Sequence, residues 1–150
     1  AKNMLKNKVT IDRQYEETPP IKCAPSQINQ VFLNIITNAA QAIPEKGVIT
    51  LRTGMHDPQT VRVEIQDDGS GIPAEVLPKI FDPFFTTKDI GKGTGMGLSI
   101  SYKIIEGHGG RIEVDTEAGL GTTFSILLPI DQPEVREEVV EDDDELLLAA

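Results

Sequence analysis

Cysteine is almost missing from this 150-residue chain: Cys23 stands alone, so no intramolecular disulfide can form. A cytosolic, reducing setting is the default for such a chain. Histidine is scarce as well. His56 and His108 are isolated, and no Cys/His cluster with metal-ligand spacing exists. No apolar run approaches the roughly 18–20 residues needed to span a membrane. The opening Ala1-Lys2-Asn3-Met4 has neither an initiating Met nor the apolar region of a signal peptide. The chain therefore reads as a piece of a longer protein. Positive charge is also short, with 14 Lys+Arg against 24 Asp+Glu and a net charge of −10. That balance argues against nonspecific binding to nucleic acid or to an anionic membrane.

The missing positive charge is unevenly distributed. Residues 131–150 carry nine acids and one base, Arg136, so this tail alone holds −8 and the first 130 residues only −2. The length suits one domain with a real core. The expected organisation is a linker remnant over 1–8, a domain over 9–130 and an acidic tail over 131–150. Low hydrophobicity and dense charge predict disorder for that tail, although Leu146-Leu147-Leu148 is apolar.

Apolar spacing predicts the elements. Val9–Tyr15 alternates as a strand, ended by Thr18-Pro19-Pro20. From Pro25 to about Ile43, the positions Ile28, Val31, Phe32, Ile35, Ile36, Ala39, Ala42 and Ile43 fall at helical spacing, with Pro44 just beyond. Val48–Met55 and Val61–Ile65 read as a hairpin turning at His56-Asp57-Pro58-Gln59. Pro73–Ile80 is a short helix candidate limited by Pro78. Gly97–Gly107 reads as a second helix with Leu98, Tyr102 and Ile105 on one face. Arg111–Thr116 and Thr122–Pro129 close the chain as strands. The order predicts an α+β fold, helices layered on one mixed sheet.

Glycine carries further information. Eleven of the 13 lie between Gly69 and Gly121, so the chain bends tightly or approaches something closely there. Between Asp82 and Met96 little would pack as an element, and a loop of about 15 residues is usually a binding loop or lid when ordered. In Gly91-Lys92-Gly93-Thr94-Gly95-Met96-Gly97-Leu98, four alternate glycines precede a helix start. Backbone N–H groups and the helix N-terminus can converge there on an anion, so phosphate binding is favoured over a plain flexible linker. It is not a P-loop, since Lys92 is followed by Gly93 and position 86 is Thr86. Nor does it have the spacing or the preceding strand of a dinucleotide fingerprint.

Other polar residues stand in patterns. Asn34, Asn38 and Gln41 form a stripe on the long helix, and Asn is poor in a helix interior. The stripe is either a solvated face or a carboxamide row facing a ligand, with an Asn oxygen available to a hard cation. The strand 61–65 runs into Asp67-Asp68-Gly69-Ser70-Gly71-Ile72. This is a tight Asp-capped turn, or an acceptor for an exocyclic amine beside bare backbone that a flat ring can approach. Phe81-Asp82-Pro83-Phe84-Phe85-Thr86-Thr87-Lys88 holds three of the five Phe residues, and Lys88 can offer its charge to a phosphate.

In this order, Asn34-Ile35-Ile36-Thr37-Asn38-Ala39, Asp67–Ile72, Phe81–Phe85, Gly91–Leu98 and Gly119-Leu120-Gly121-Thr122 resemble the N, G1, F, G2 and G3 boxes. Those boxes characterise the catalytic ATP-binding domain of sensor histidine kinases of two-component systems, and the resemblance spans about residues 5–130. It implies the Bergerat fold, a two-layer α/β sandwich shared with type II topoisomerases, heat-shock chaperone ATPases and mismatch-repair ATPases. It further implies ATP and Mg2+ as cofactors. Asp67 would accept the adenine amine, with Thr122 joining through a water, and Gly69 and Gly71 would border the purine. Asn38 would ligate the magnesium ion, and Asn34 would lie near the phosphate or attacking side. Gly93, Thr94, Gly95, Met96, Gly97 and Leu98 would line the phosphates, assisted by Lys88. The implied partners are a phosphoacceptor helical domain, its own or a partner subunit's, and a downstream response regulator; the setting is cytoplasmic.

Three functions follow from that resemblance: a histidine kinase catalytic domain, a conformational ATPase of the same superfamily, or a nucleotide-binding module without transfer. Position 34 discriminates the first two. Hydrolysing relatives resemble one another in a Glu there, a possible general base, whereas Asn34 takes no proton at neutral pH. Transfer to an already nucleophilic imidazole is thereby favoured. Gln41 departs from the Lys or Arg of many histidine kinases, and Lys88 resembles the substitute used by the nitrogen-regulator-like branch. Ala24 before Pro25 lacks the usual Asp cap, a loss of about 1 kcal/mol. His108, at a helix end, reads as a cation-compatible cap rather than a phosphorylation site.

Overall fold

The computed structural model describes residues 9–83 and 97–131. Seven elements build it: β1 (Val9–Tyr15), α1 (Pro25–Ala42), β2 (Gly47–Asp57), β3 (Thr60–Asp67), α2 (Gly97–Gly107), β4 (Arg111–Glu117) and β5 (Gly121–Pro129). The sheet order is β1-β2-β3-β5-β4. β1 runs parallel to β2 across the α1 crossover, and the remaining pairs are antiparallel, so the sheet is mixed.

Alternation along the strands separates two faces. On β3, Val61 and Ile65 are buried, and on β5 Phe124, Ile126 and Leu128. Ile65, Phe124, Ile126 and Leu128 join the buried stripe Ile28, Val31, Ile35 and Ala39 of α1 and Ile105 of α2 in one core. The opposite face is polar. There Arg52 donates to Gln14 at 3.1 Å and to Gln66 at 2.7 Å, and Arg62 pairs with Glu64 at 3.4 Å. Such half-exposed pairs add little stability, so the helix-covered face is what holds the domain together.

Four details differ from the spacing argument. The β2–β3 hairpin is longer and tighter, with Asp57 paired to Thr60 across Pro58-Gln59 and a bulge between Met55 and Asp57. Asp57 Oδ1 accepts from the Gln59 N–H at 2.8 Å, an Asx-type turn that closes the loop early. Over 73–80 no α-helix forms; turns lead to a 3-10 turn at Leu77–Lys79. Leu77 N–H reaches the Pro73 carbonyl, but Pro78 has no N–H with which to continue the series. On α2 the buried side chains are Ser99, Ser101 and Ile105, whereas Tyr102 turns outward and packs on Phe81 with ring centroids 5.4 Å apart.

His108 is the fourth. It is not a cationic cap but a buried neutral clamp. Its Nδ1 lies 2.8 Å from the Ile104 carbonyl, which can only accept, while Nε2 accepts the Ala24 N–H at 3.1 Å. One ring nitrogen donates and the other accepts, which is the neutral tautomer. This bond joins the end of α2 to the start of α1, where Ala24 supplies no side-chain cap of its own. Removing the ring in His108→Ala strands the Ala24 N–H and leaves a cavity. A loss of about 3 kcal/mol is expected in urea unfolding.

Candidate nucleotide site at the end of the sheet

Asp67 occupies a core position. It continues the inward phase of Val61, Val63 and Ile65, is 3% exposed, and lies opposite Thr122 on β5. Its Oδ1 accepts the Gly69 N–H at 2.8 Å. Burial pushes the carboxyl pKa up, the N–H groups of Gly69 and Thr122 pull it partly back, and the neighbouring Asp68 charge pushes it up again. No ion pair reaches Asp67 among the described residues. A buried carboxylate held by backbone donors alone is poised for a further donor from a ligand.

The turn after Asp67 is pressed between two parts of the chain. Ser70 N–H donates to the Ala42 carbonyl at the end of α1, at 3.1 Å. A Cβ on Gly69 would run into that same carbonyl oxygen, so only glycine fits there. On the other side, Gly119 N–H donates to the Ser70 carbonyl at 2.7 Å. Gly71, at φ +76°, lies so close to the Glu117 carbonyl that a Cβ would overlap it. Asp68 points outward and its Oδ1 accepts the Val48 N–H at 2.9 Å, tying the turn to β2.

Thr116 and Thr122 complete this end. Their hydroxyls are 2.8 Å apart, and Thr116 Oγ1 also accepts from the Ile72 N–H at 2.9 Å. A hollow here is walled by Asp67, Thr116, Thr122, Gly121 and the exposed Leu120. Thr116 escaped the sequence reading. The signal was present: Ile112, Val114 and Thr116 share one strand phase, as do Val61, Val63, Ile65 and Asp67. A polar residue that prolongs an apolar phase is aimed into the buried layer.

Asn34 and Asn38 stand half-buried on α1. Asn34 Nδ2 donates to the Gly97 carbonyl and to Ser101 Oγ, both at 3.3 Å, which ties α1 to the first two turns of α2. The carbonyl accepts only, so the amide orientation is set and the Asn34 oxygen faces away from it. A Cβ on Gly97 would lie 3.7 Å from Asn34 Cγ, in ordinary contact. Leu98 packs against the core beside it. Lys88, Gly93, Thr94, Gly95 and Met96 lie outside the described residues, as do 1–8 and 132–150. The structure thus unites Asp67, Gly69, Gly71 and Thr122 at one sheet end, and Asn34 with Gly97 at the helix pair. The Ala42–Ser70 bond connects α1 to the former group.

The family described as histidine kinase-, DNA gyrase B- and HSP90-like ATPase matches residues 23–132. The sensor kinase CckA of Brucella abortus (strain 2308) is 48% identical over 73% of this chain, which spans 13% of that protein. The catalytic domain of histidine kinase ThkA is 33% identical, with a TM-score of 0.74 over 87% of this chain and 86% of that one. Full-length ShkA in complex with AMPPNP gives a TM-score of 0.77 at 26% identity, covering 88% of this chain and 28% of that one. The family match covers the five boxes and both helices, and the mixed five-stranded sheet with its two helices matches the fold of the solved kinase domains. The chain belongs to the histidine kinase-type ATPase family, as a catalytic domain of the sensor kinase kind.

Proposed function

We propose that this chain binds Mg-ATP and donates its γ-phosphoryl group to a histidine on a separate helical domain, from which a response regulator would be phosphorylated. The observation that carries this is Asp67, a buried acceptor at the end of a largely apolar sheet face, without a cation beside it among the described residues. An exocyclic amine of adenine supplies the missing donor, and the glycines at 69 and 71 leave only backbone along the approach. That the similar full-length ShkA was solved in complex with AMPPNP supports a nucleotide as the ligand.

The donor set suits magnesium. Among the described residues no group of three His, Cys, Asp or Glu side chains can hold a metal ion. Mg2+ commonly takes one or two protein oxygens and fills its shell with phosphates and water. We assign Asn38 as that protein ligand. The ion, when bound, neutralises charge on the phosphates. We assign phosphate contacts to the segment Gly93–Leu98 and to Lys88. Asn34 acts as a neutral group near the phosphates and as the tie to α2. In the transfer, an imidazole nitrogen forms the bond to phosphorus as the bond to ADP breaks. We place the domain in the cytoplasm; no described helix is long and apolar enough to cross a membrane.

Calorimetric titration with ATP is expected to give micromolar affinity in Mg2+. Asn38→Ala should bring that affinity down roughly tenfold, to the level seen in EDTA. Steady-state ATP hydrolysis by this chain alone should be negligible, because no proton acceptor stands at position 34. Robust turnover that disappears in Asn34→Ala would instead establish a conformational ATPase.

A further inference from the structure

The β2–β3 ladder ends at the pair Ile49–Asp67. Next in line on the two strands stand Val48 and Asp68. The Val48 N–H points toward β3, so in a continuing antiparallel ladder it would meet the main-chain carbonyl of Asp68. It meets the side chain instead, Asp68 Oδ1, at 2.9 Å. A carboxyl oxygen stands in for a ladder carbonyl, as Asp side chains do where a chain turns. The main chain is thereby released from the sheet directly after Asp67, and no donor on β2 is orphaned.

Gly47 makes room for this substitution. A Cβ there would run into Asp68 Oδ1 and stand 2.9 Å from Ile43 Cγ2. The Asp68 carboxyl therefore lies against bare backbone, beside the residue that ends α1. Asp67 is held on its other side by the pairing with Thr122 on β5. On the β2 side, the bond from Val48 to Asp68 is the tie that lies beyond the last ladder pair. Strand ends open locally unless something fastens them.

We propose that Asp68 is a positioning residue for nucleotide binding: by closing the ladder with its side chain, it holds Asp67 and the backbone of Gly69–Gly71 in the arrangement that a bound nucleotide needs. The proposal rests on the ATP reading above. Asp68 acts as an acceptor for a main-chain N–H and not through its charge, since the nucleotide is itself an anion. A turn that is already fixed need not be ordered during binding. With the tie cut, the competent arrangement is only part of the population, and the apparent affinity falls by that fraction.

The test is calorimetric titration of the chain with ATP in Mg2+, with urea midpoints measured on the same proteins. Asp68→Ala is expected to lower the affinity roughly fivefold, the value of one neutral hydrogen bond. Asp68→Asn keeps an oxygen for the Val48 N–H and removes the charge, so its affinity should stay within about twofold of the wild type. Gly47→Ala leaves the carboxyl intact but pushes it off the Val48 N–H, because the Asp68 side chain is the neighbour that can swing away. Its loss should match that of Asp68→Ala, and it repeats the measurement should that protein not fold. The double variant should bind no more weakly than the worse single one, because both substitutions cut the same bond. An Asp68→Ala protein with a lower urea midpoint but unchanged affinity would overturn the proposal and leave Asp68 a scaffold residue. An asparagine variant as weak as the alanine one, or losses that multiply in the double variant, would overturn it too, while ATP binding stands. Failure of the wild type to bind ATP would instead remove the ATP reading, and the proposal with it.

Discussion

ATP binding is expected to vanish in an Asp67→Asn protein that folds as well as its parent. Asparagine keeps the size of Asp67 and an oxygen for the Gly69 N–H, a bond of 2.8 Å in the parent. The second oxygen becomes an NH2 group, so a donor then faces the adenine amine. A site built around one hydrogen bond rejects the reversed pattern strongly, and the affinity should fall by roughly 100-fold or more. Unchanged affinity would remove Asp67 from the site.

The same substitution should leave the nucleotide-free domain at least as stable near pH 7. Burial holds the Asp67 carboxyl above its usual 3.8, so the ionised form is disfavoured in the folded state. Between 3.8 and the raised value the folded chain binds more protons than the unfolded chain. Stability therefore falls as pH rises through that window and stays lower above it. The asparagine variant lacks this penalty. Its advantage in urea unfolding should be largest at neutral pH and shrink on acidification through the window. A buried carboxyl that would take the amine of a ligand thereby weakens the empty domain.

The second large effect is expected at Gly121. Its φ is +130°, and a Cβ there would overlap the Asp67 carbonyl oxygen while lying 3.1 Å from Asp68 Cα. Both neighbours are backbone, so relief requires β3 and β5 to part where Asp67 pairs with Thr122. Gly121→Ala should destabilise the domain by about 3 kcal/mol or more. ATP affinity should fall with it, because the two residues that would read the base sit on the separated strands. Gly119 gives the contrast. It has φ +85°, but nothing stands within 4 Å of its missing Cβ. Gly119→Ala should lose only about 1 kcal/mol, the conformational penalty alone. Denaturation midpoints of the two variants separate steric from conformational causes.

Periodicity made the long elements readable. The stripe Ile28, Val31, Ile35 and Ala39 marks α1, and alternation marks β4 and β5, because burial against one layer imposes a fixed period. Proline was harder to weigh. Pro78 left only a 3-10 turn at Leu77–Lys79 where a short helix was expected. Tyr102 matches the helical spacing of Leu98 and Ile105, yet it faces Phe81 at the surface. Spacing names a face but not what covers it. His108 was misread for a related reason: its partner Ala24 is 84 residues away, and no local pattern announces that contact.

Sequence alone determined the order of elements, the mixed two-layer class and the five boxes, since each rests on local chemistry or short-range period. Tertiary structure decided which polar residues the fold buries together. Asp67, Thr122 and Thr116 lie on three strands and meet only through strand register. The glycines at 69, 71 and 121 read as places of close approach, and the structure shows what approaches: carbonyls of Ala42, Glu117 and Asp67. Those contacts join residues distant in the chain. Their geometry is set by how strands and helix ends pack, which no local pattern contains.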